Sequence, residues 1–208
     1  MSKYAIFDID GTLNQTALYA LEAYQRALKK RGRRAEEAEI ISCIGLSPAG
    51  IIEKLFVSLS GEELADWRKD IKDYEFQLME EHAAAFPGVK ESLDKLLEAG
   101  YQLAICSNAF PEHIEHVLEM IHLKDYFPVI GSLNMGSSKA EVLGTLLKQL
   151  GCEAACLVGD RKFDIDAARQ NQIPVVGCAY GYAPEEIQSA DRVIGHGGEI
   201  AEAVMALI

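Results

Sequence analysis

Cysteine pairs are what this chain most conspicuously lacks. Its five cysteines, Cys43, Cys106, Cys152, Cys156 and Cys178, are odd in number and form no C-x-x-C pair, which argues against both a disulfide framework and a zinc site. Cations are also scarce: 20 Lys and Arg stand against 32 Asp and Glu, a formal net charge of −12. Such a chain repels a polyphosphate backbone unless it carries a local basic stripe, and the one short candidate is Lys29-Lys30-Arg31-Gly32-Arg33-Arg34. No apolar run approaches the ~18 residues of a membrane span. The opening MSKYAIFDID puts two aspartates where a secretory apolar region would have to continue. With only 6 Pro and 17 Gly, a fibrous or low-complexity chain is excluded as well. The expectation that remains is a cytoplasmic globular protein in a reducing compartment, with no nucleic-acid or membrane partner.

The 208 residues, 49% of them hydrophobic, suit one domain or one domain with an insertion. Tyr4 to Ile9, Tyr101 to Cys106, Ala154 to Gly159 and Ile173 to Gly177 are short apolar runs bounded by Gly, Asp, Ser or Asn, the pattern of buried strands. Phe127 to Ile130 and Arg192 to Ile194 are weaker runs of the same kind. Helical periodicity fills the gaps at Val89 to Glu98, Pro111 to Ile121, Lys139 to Leu150 and Ile165 to Gln170. Strands alternating with helices predict an α/β fold, a doubly wound parallel sheet covered on both faces.

One stretch breaks the alternation. Residues 14–85 show only helical periodicity, at Ala17 to Lys30, Pro48 to Leu59 and Glu62 to about Glu81, and hold ten of the 20 cations. The spacing therefore predicts a helical insertion after the first strand, with residues 1–13 and 86–208 forming the sheet domain. Trp67, Tyr74 and Phe76 are expected to pack the insertion's own core, and His113 and His116 to lie on the surface. The run Lys29 to Arg34 reads as a solvated helix end broken by Gly32.

In a parallel sheet ligands gather at the carboxyl ends of the strands. There this sequence places Asp8-Ile9-Asp10-Gly11-Thr12, then Ser107-Asn108, then Lys139 at the start of a helix, then Gly159-Asp160 with Asp164 four residues on. Four aspartates against one lysine suit a hard divalent cation with oxygen ligands, such as Mg2+. A cation at Lys139 opposes the helix dipole, so an anion is expected to hold it there. Ser107 and Asn108 can offer a hydroxyl and N–H groups to a phosphate.

FDIDGTL, ICSN, the Lys of SSKAEVL and GDRKFDIDAA, in this order, resemble the four motifs of the haloacid dehalogenase superfamily over nearly the whole chain. Ile173 to Gly177 with Gly181-Tyr182, and the insertion after the first motif, resemble its phosphoglycolate phosphatase-like branch, in which that insertion is a helical cap. The resemblance implies a Rossmann-like core and a Mg2+-dependent phosphomonoester hydrolase acting on a small phosphorylated metabolite. It implies Asp8 as nucleophile, Asp10 as general acid and base, and Thr12, Ser107, Asn108 and Lys139 around the phosphoryl oxygens. It further implies Asp8, the Asp10 carbonyl and Asp160 on the metal, with Asp164 ligating through water or orienting Lys139. The only partner beyond substrate would be a second copy, as monomer or homodimer.

Two stretches depart from the branch: Asn14-Gln15-Thr16 stands where an apolar residue and then Asp before Ser or Thr is usual, and Ala109 stands where Lys is common. Asp10 favours phosphomonoester chemistry, because an alkoxide leaving group needs a proton that a dehalogenase does not supply. The competing expectations are a phosphoglucomutase-like phosphotransferase and a non-catalytic phospho-binding protein of the same fold.

Overall fold

The computed structural model describes residues 2–55 and 61–208. Six strands, β1 (Lys3–Phe7), β2 (Gln102–Cys106), β3 (Val129–Gly131), β4 (Ala154–Gly159), β5 (Val175–Cys178) and β6 (Arg192–Ile194), form one sheet in the order β3-β2-β1-β4-β5-β6. Every pairing is parallel. The chain winds outward from β1 to β3, returns to β4 on the other side of β1, and winds outward again. The order therefore reverses between β1 and β4, and a crevice opens beyond their carboxyl ends.

Strand periodicity sorts the core into two layers. Tyr4 and Ile6 of β1, with Ala155 and Leu157 of β4, pack on Val142, Leu143 and Leu146 of α7 (Lys139–Leu150) and on Ile165 and Ala168 of α8 (Lys162–Gln170). The alternate residues Ala5, Phe7, Cys156 and Val158 join the opposite layer, which includes α5 (Val89–Glu98) and α9 (Ile200–Met205). All five cysteines are free, and all but Cys152 are buried.

Between β1 and α5 run α1 (Ala17–Lys30), α2 (Glu37–Ile41), α3 (Pro48–Leu55) and α4 (Gly61–His82). Helices α1 and α4 pack together, with Tyr24 meeting Trp67 edge to face at 6.1 Å. The basic run is a solvated helix end, as expected, with Lys29, Lys30, Arg33 and Arg34 exposed, and two of its cations also reach α4. Lys30 Nζ and Arg31 Nη1 each lie 2.8 Å from an oxygen of Asp70 on α4, while Gly32 at φ +65 turns the chain out of the helix. The ends of the insertion run side by side: Gln15 N–H donates to Ala84 O and Phe86 N–H to Leu13 O, both at 2.9 Å.

Several expectations change. Helix α3 ends at Leu55 within the described residues, and 56–59 of the expected helix lie outside them. Strand β5 starts two residues late because Pro174 brings no N–H to the ladder. Helix α8 starts three residues early because Asp164 accepts from the Arg161 N–H and closes its first turn. The five-residue α2 and six-residue α9 are too short for periodicity to reveal. His113 and His116, expected at the surface, lie instead on the face of α6 (Pro111–Met120) that meets α4, where His116 stacks on Phe76 at 4.1 Å. Phe76 thus seals the insertion against the sheet domain rather than filling the insertion's own core.

Leu157 is fully buried between the sheet and α7–α8, whereas Leu18 is 52% exposed. Leu157→Ala should therefore lower unfolding free energy by about 2–5 kcal/mol, and Leu18→Ala by less than about 0.5 kcal/mol. Urea denaturation of the two variants measures the difference.

Candidate active site

Strand β1 hands over to Asp8 while the ladder still holds it, since Asp8 N–H donates to Val158 O at 2.9 Å. Its carboxylate turns into the crevice and meets Lys139 Nζ at 2.6 Å, and the same Nζ lies 2.6 Å from Asp164 Oδ1. This explains why a lysine can open α7. Two buried carboxylates hold it, and Ser138 takes over the helix terminus by accepting from Glu141 N–H. Asp160, fully buried, accepts from Tyr182 N–H at 2.9 Å.

Oxygens of Asp8, Asp160 and Asp164 lie within 4.8 Å of one another. Two glycines make that density possible. A Cβ on Gly11, which sits at φ +83, would collide with Asp160 Oδ2, and one on Gly159 would collide with Asp164 Cγ. Three hard carboxylates against one ammonium leave the cluster about two charges negative, and the donor set fits Mg2+.

The electrostatics record the same excess. Burial, with the Asp164 charge adding and Lys139 opposing, pushes the Asp8 carboxyl up to about 7. Burial and then the Asp8 charge drive Asp160 well above the usual carboxylate range. Burial works against the Lys139 cation, but Asp164 and Asp8 outweigh it and keep it protonated above the ordinary lysine range.

Asp10 stands apart from this cluster. Its half-buried carboxylate accepts from the Thr16 hydroxyl at 2.7 Å and faces a cavity of about 260 Å³ between the insertion and the sheet domain. Asn108 lines the same cavity, and its Nδ2 donates to Gly45 O at 3.3 Å. Ser107 is buried, with Oγ accepting from Ala109 N–H. Thr12 is fully enclosed, its hydroxyl 3.5 Å from Asp160 Oδ1.

A scan against known families matches residues 5–178 to the haloacid dehalogenase-like hydrolases. The chain belongs to that family. This haloacid dehalogenase-like hydrolase is 28% identical over 193 residues to a phosphoglycolate phosphatase of Agrobacterium fabrum, covering 88% of this chain and 82% of that one. It is also 29% identical over 211 residues to the tyrosine-protein kinase PtkA of Mycobacterium tuberculosis, covering 97% of this chain and 71% of the relative. A crystal structure described as a predicted phosphoglycolate phosphatase from Haemophilus somnus superposes with a TM-score of 0.87 at 22% identity, covering 97% of each chain.

Sequence reasoning missed two contributors to the hydrolase's crevice. Thr16 was given no role of its own, yet it is the residue that bonds Asp10. Arg161 donates to Ile44 O and pairs with Glu186 Oε2 at 3.0 Å, tying the α8 turn to the insertion. A cation wedged into the acidic run GDRKFDID was the available signal for it.

The pH response of the metal-free hydrolase follows. Folded Asp8 keeps its proton up to about 7, whereas an unfolded Asp loses it near 3.8. The folded state thus holds the extra proton across that window, and stability should fall as pH rises through it. Lys139→Met leaves Asp8 and Asp164 without their buried counter-charge and should cost about 3–5 kcal/mol. Chemical denaturation in EDTA between pH 4 and 8 checks both, and flat stability across that range would contradict the first.

Proposed function

We propose that the chain is a Mg2+-dependent phosphomonoester hydrolase of the phosphoglycolate phosphatase-like branch, acting through an aspartyl phosphate on a small phosphorylated metabolite in the cytoplasm. One observation carries the reading. A buried lysine bridges Asp8 and Asp164 at 2.6 Å each, and a separate acid, Asp10, faces the adjoining cavity.

Asp8 is the nucleophile. Its carboxylate attacks phosphorus, the bond from phosphorus to the alcohol oxygen breaks, and one displacement becomes two. Asp10 gives its proton to the departing oxygen and then takes one from the attacking water. The Thr16 hydroxyl at 2.7 Å holds the Asp10 carboxylate in one orientation for both tasks. Lys139 fixes the Asp8 carboxylate and, with Ser107 and Asn108, places donors around the phosphoryl oxygens. Thr12 joins this phosphate-binding set, its hydroxyl 3.5 Å from Asp160 Oδ1. The Asp8 and Asp160 carboxylates and the Asp10 carbonyl would hold Mg2+, with Asp164 beside them. When bound, the metal would offset charge on the phosphoryl oxygens.

We assign residues 14–85 as a cap hinged at 13–16 and 85–88, the two stretches joined by the Phe86–Leu13 hydrogen bond and flanked by that of Gln15 to Ala84. Asn108 and Arg161 donate to the carbonyls of Gly45 and Ile44, so the loop at 44–48 closes the crevice when the cap is down.

Phosphate release from p-nitrophenyl phosphate should vanish in excess EDTA and return with Mg2+. Asp8→Asn should abolish turnover and leave no phosphate on the protein, while Asp10→Asn should lose about 10^2 to 10^4-fold. Near wild-type turnover by Asp8→Asn would end the covalent reading. Recovery of label in a second ester or on tyrosine, rather than in inorganic phosphate, would assign a phosphotransferase. Leu46→Ala and Ser47→Ala should change kcat/KM unequally across a panel of phosphorylated metabolites, and a uniform change would place substrate selection elsewhere.

A further inference from the structure

The cavity that Asp10 faces is the space a departing alcohol would occupy, and its lining is unusual for an anionic one. Tyr24, Ile44, Leu46, Trp67, Phe76 and Phe110 give it apolar walls. Its polar interior is acidic. Glu75 reaches in from α4 with a side chain only 10% exposed, and its ion-pair contact, His113 Nδ1, is 4.0 Å away. That separation is too long for a hydrogen bond. Among the described residues, no hydrogen bond reaches the Glu75 carboxyl.

A carboxyl group buried without a partner is costly to keep. Burial, then the Asp10 charge, pushes Glu75 up to about 8. Burial also holds the neighbouring imidazole of His113 below its ordinary range, with the Asp10 charge opposing. The cations of this cavity sit at its mouth. Arg68 is exposed there, and Lys72 is committed to Glu112 at 2.7 Å.

Resting on the hydrolase reading above, we propose that Glu75 is the leaving-group recognition residue, and that the preferred substrate is the phosphomonoester of an apolar-bodied alcohol whose far end carries a hydrogen-bond donor, ammonium above hydroxyl. The apolar walls take the body of such an alcohol, and its donor gives Glu75 the partner that the protein withholds. A charge-assisted bond to ammonium is the stronger of the two. A leaving group ending in a carboxylate or a second phosphate brings another anion to a chamber that already contains Asp10 and Glu75. With Glu75 pushed up to about 8, its carboxyl can offer a proton to a carboxylate below that pH, so the discrimination against anions is expected at about pH 8.5 and above, where Glu75 is ionised. Phosphoglycolate is therefore predicted to be a poor substrate, although relatives carry its name.

Benzyl phosphates substituted at the para position test this, because the methylene insulates the reacting oxygen from the substituent. The series is 4-(aminomethyl)benzyl, 4-(hydroxymethyl)benzyl and 4-carboxybenzyl phosphate, with phosphoglycolate and p-nitrophenyl phosphate alongside. At about pH 8.5, wild-type kcat/KM should fall in that order across the benzyl series, with the aminomethyl ester at least about tenfold above the carboxy ester. Glu75→Gln, close to isosteric, should lower the aminomethyl ester most and shrink that ratio to within about threefold. Hydrolysis of all the esters at similar kcat/KM by the wild type would overturn the assignment of Glu75 while leaving the hydrolase reading standing. So would a ranking unchanged in Glu75→Gln. Failure to hydrolyse any ester, p-nitrophenyl phosphate included, would overturn both. The wild-type ranking needs no variant to fold.

Discussion

Lys139 is the constraint around which the sheet domain is arranged. Asp8 at the end of β1 and Asp164 on α8 are driven out of water by the packing that forms the sheet, and the cation that compensates both arrives from α7. Three separate segments therefore have to reach one nitrogen. The reversal of strand order between β1 and β4 makes this convergence possible, because it brings both carboxyl ends to the same crevice. Burial strengthens each pairing and also makes each one costly to lose. Stability and chemistry consequently draw on the same few atoms.

Much of this was legible because it follows from local rules. Strands buried on both faces read as unbroken apolar runs, and the paired acids after two of them had no reason to occur there by packing alone. Lys139 at a helix start contradicts the dipole unless an anion waits there, and two do. What stayed hidden depends on tertiary partners. No periodicity says that His116 will stack on Phe76, since neither residue signals a neighbour some forty positions away. Thr16 and Arg161 act through Asp10 and Ile44, contacts made only once the insertion has folded against the sheet. That the Thr12 hydroxyl lies beside Asp160 is likewise a contact of the folded chain alone.

The sheet domain and the insertion divide the labour unevenly. Groups suited to phosphorus chemistry come from the sheet side, at strand ends whose positions the ladder fixes to within a fraction of a residue. Groups that would touch the rest of a substrate, Glu75 among them, come from helices held by edge-to-face aromatics, the Asp70 ion pairs and two loop carbonyls. The first set has little freedom to vary. The second rests on contacts that individual substitutions can shift without disturbing the ladder.

The paired linkers at Leu13–Gln15 and Ala84–Phe86 carry one more consequence. Two backbone hydrogen bonds close the insertion at its base, so the sheet domain meets it as a single narrow stem rather than as two distant ends. Whatever lies beyond that stem can change in length or helix count without altering the distance the sheet must span. A segment mounted in this way behaves as an interchangeable module. Transplanting the piece between these residues onto another sheet of the same topology, or the reverse, would require matching only a stem two hydrogen bonds wide and the surface on which the helices rest.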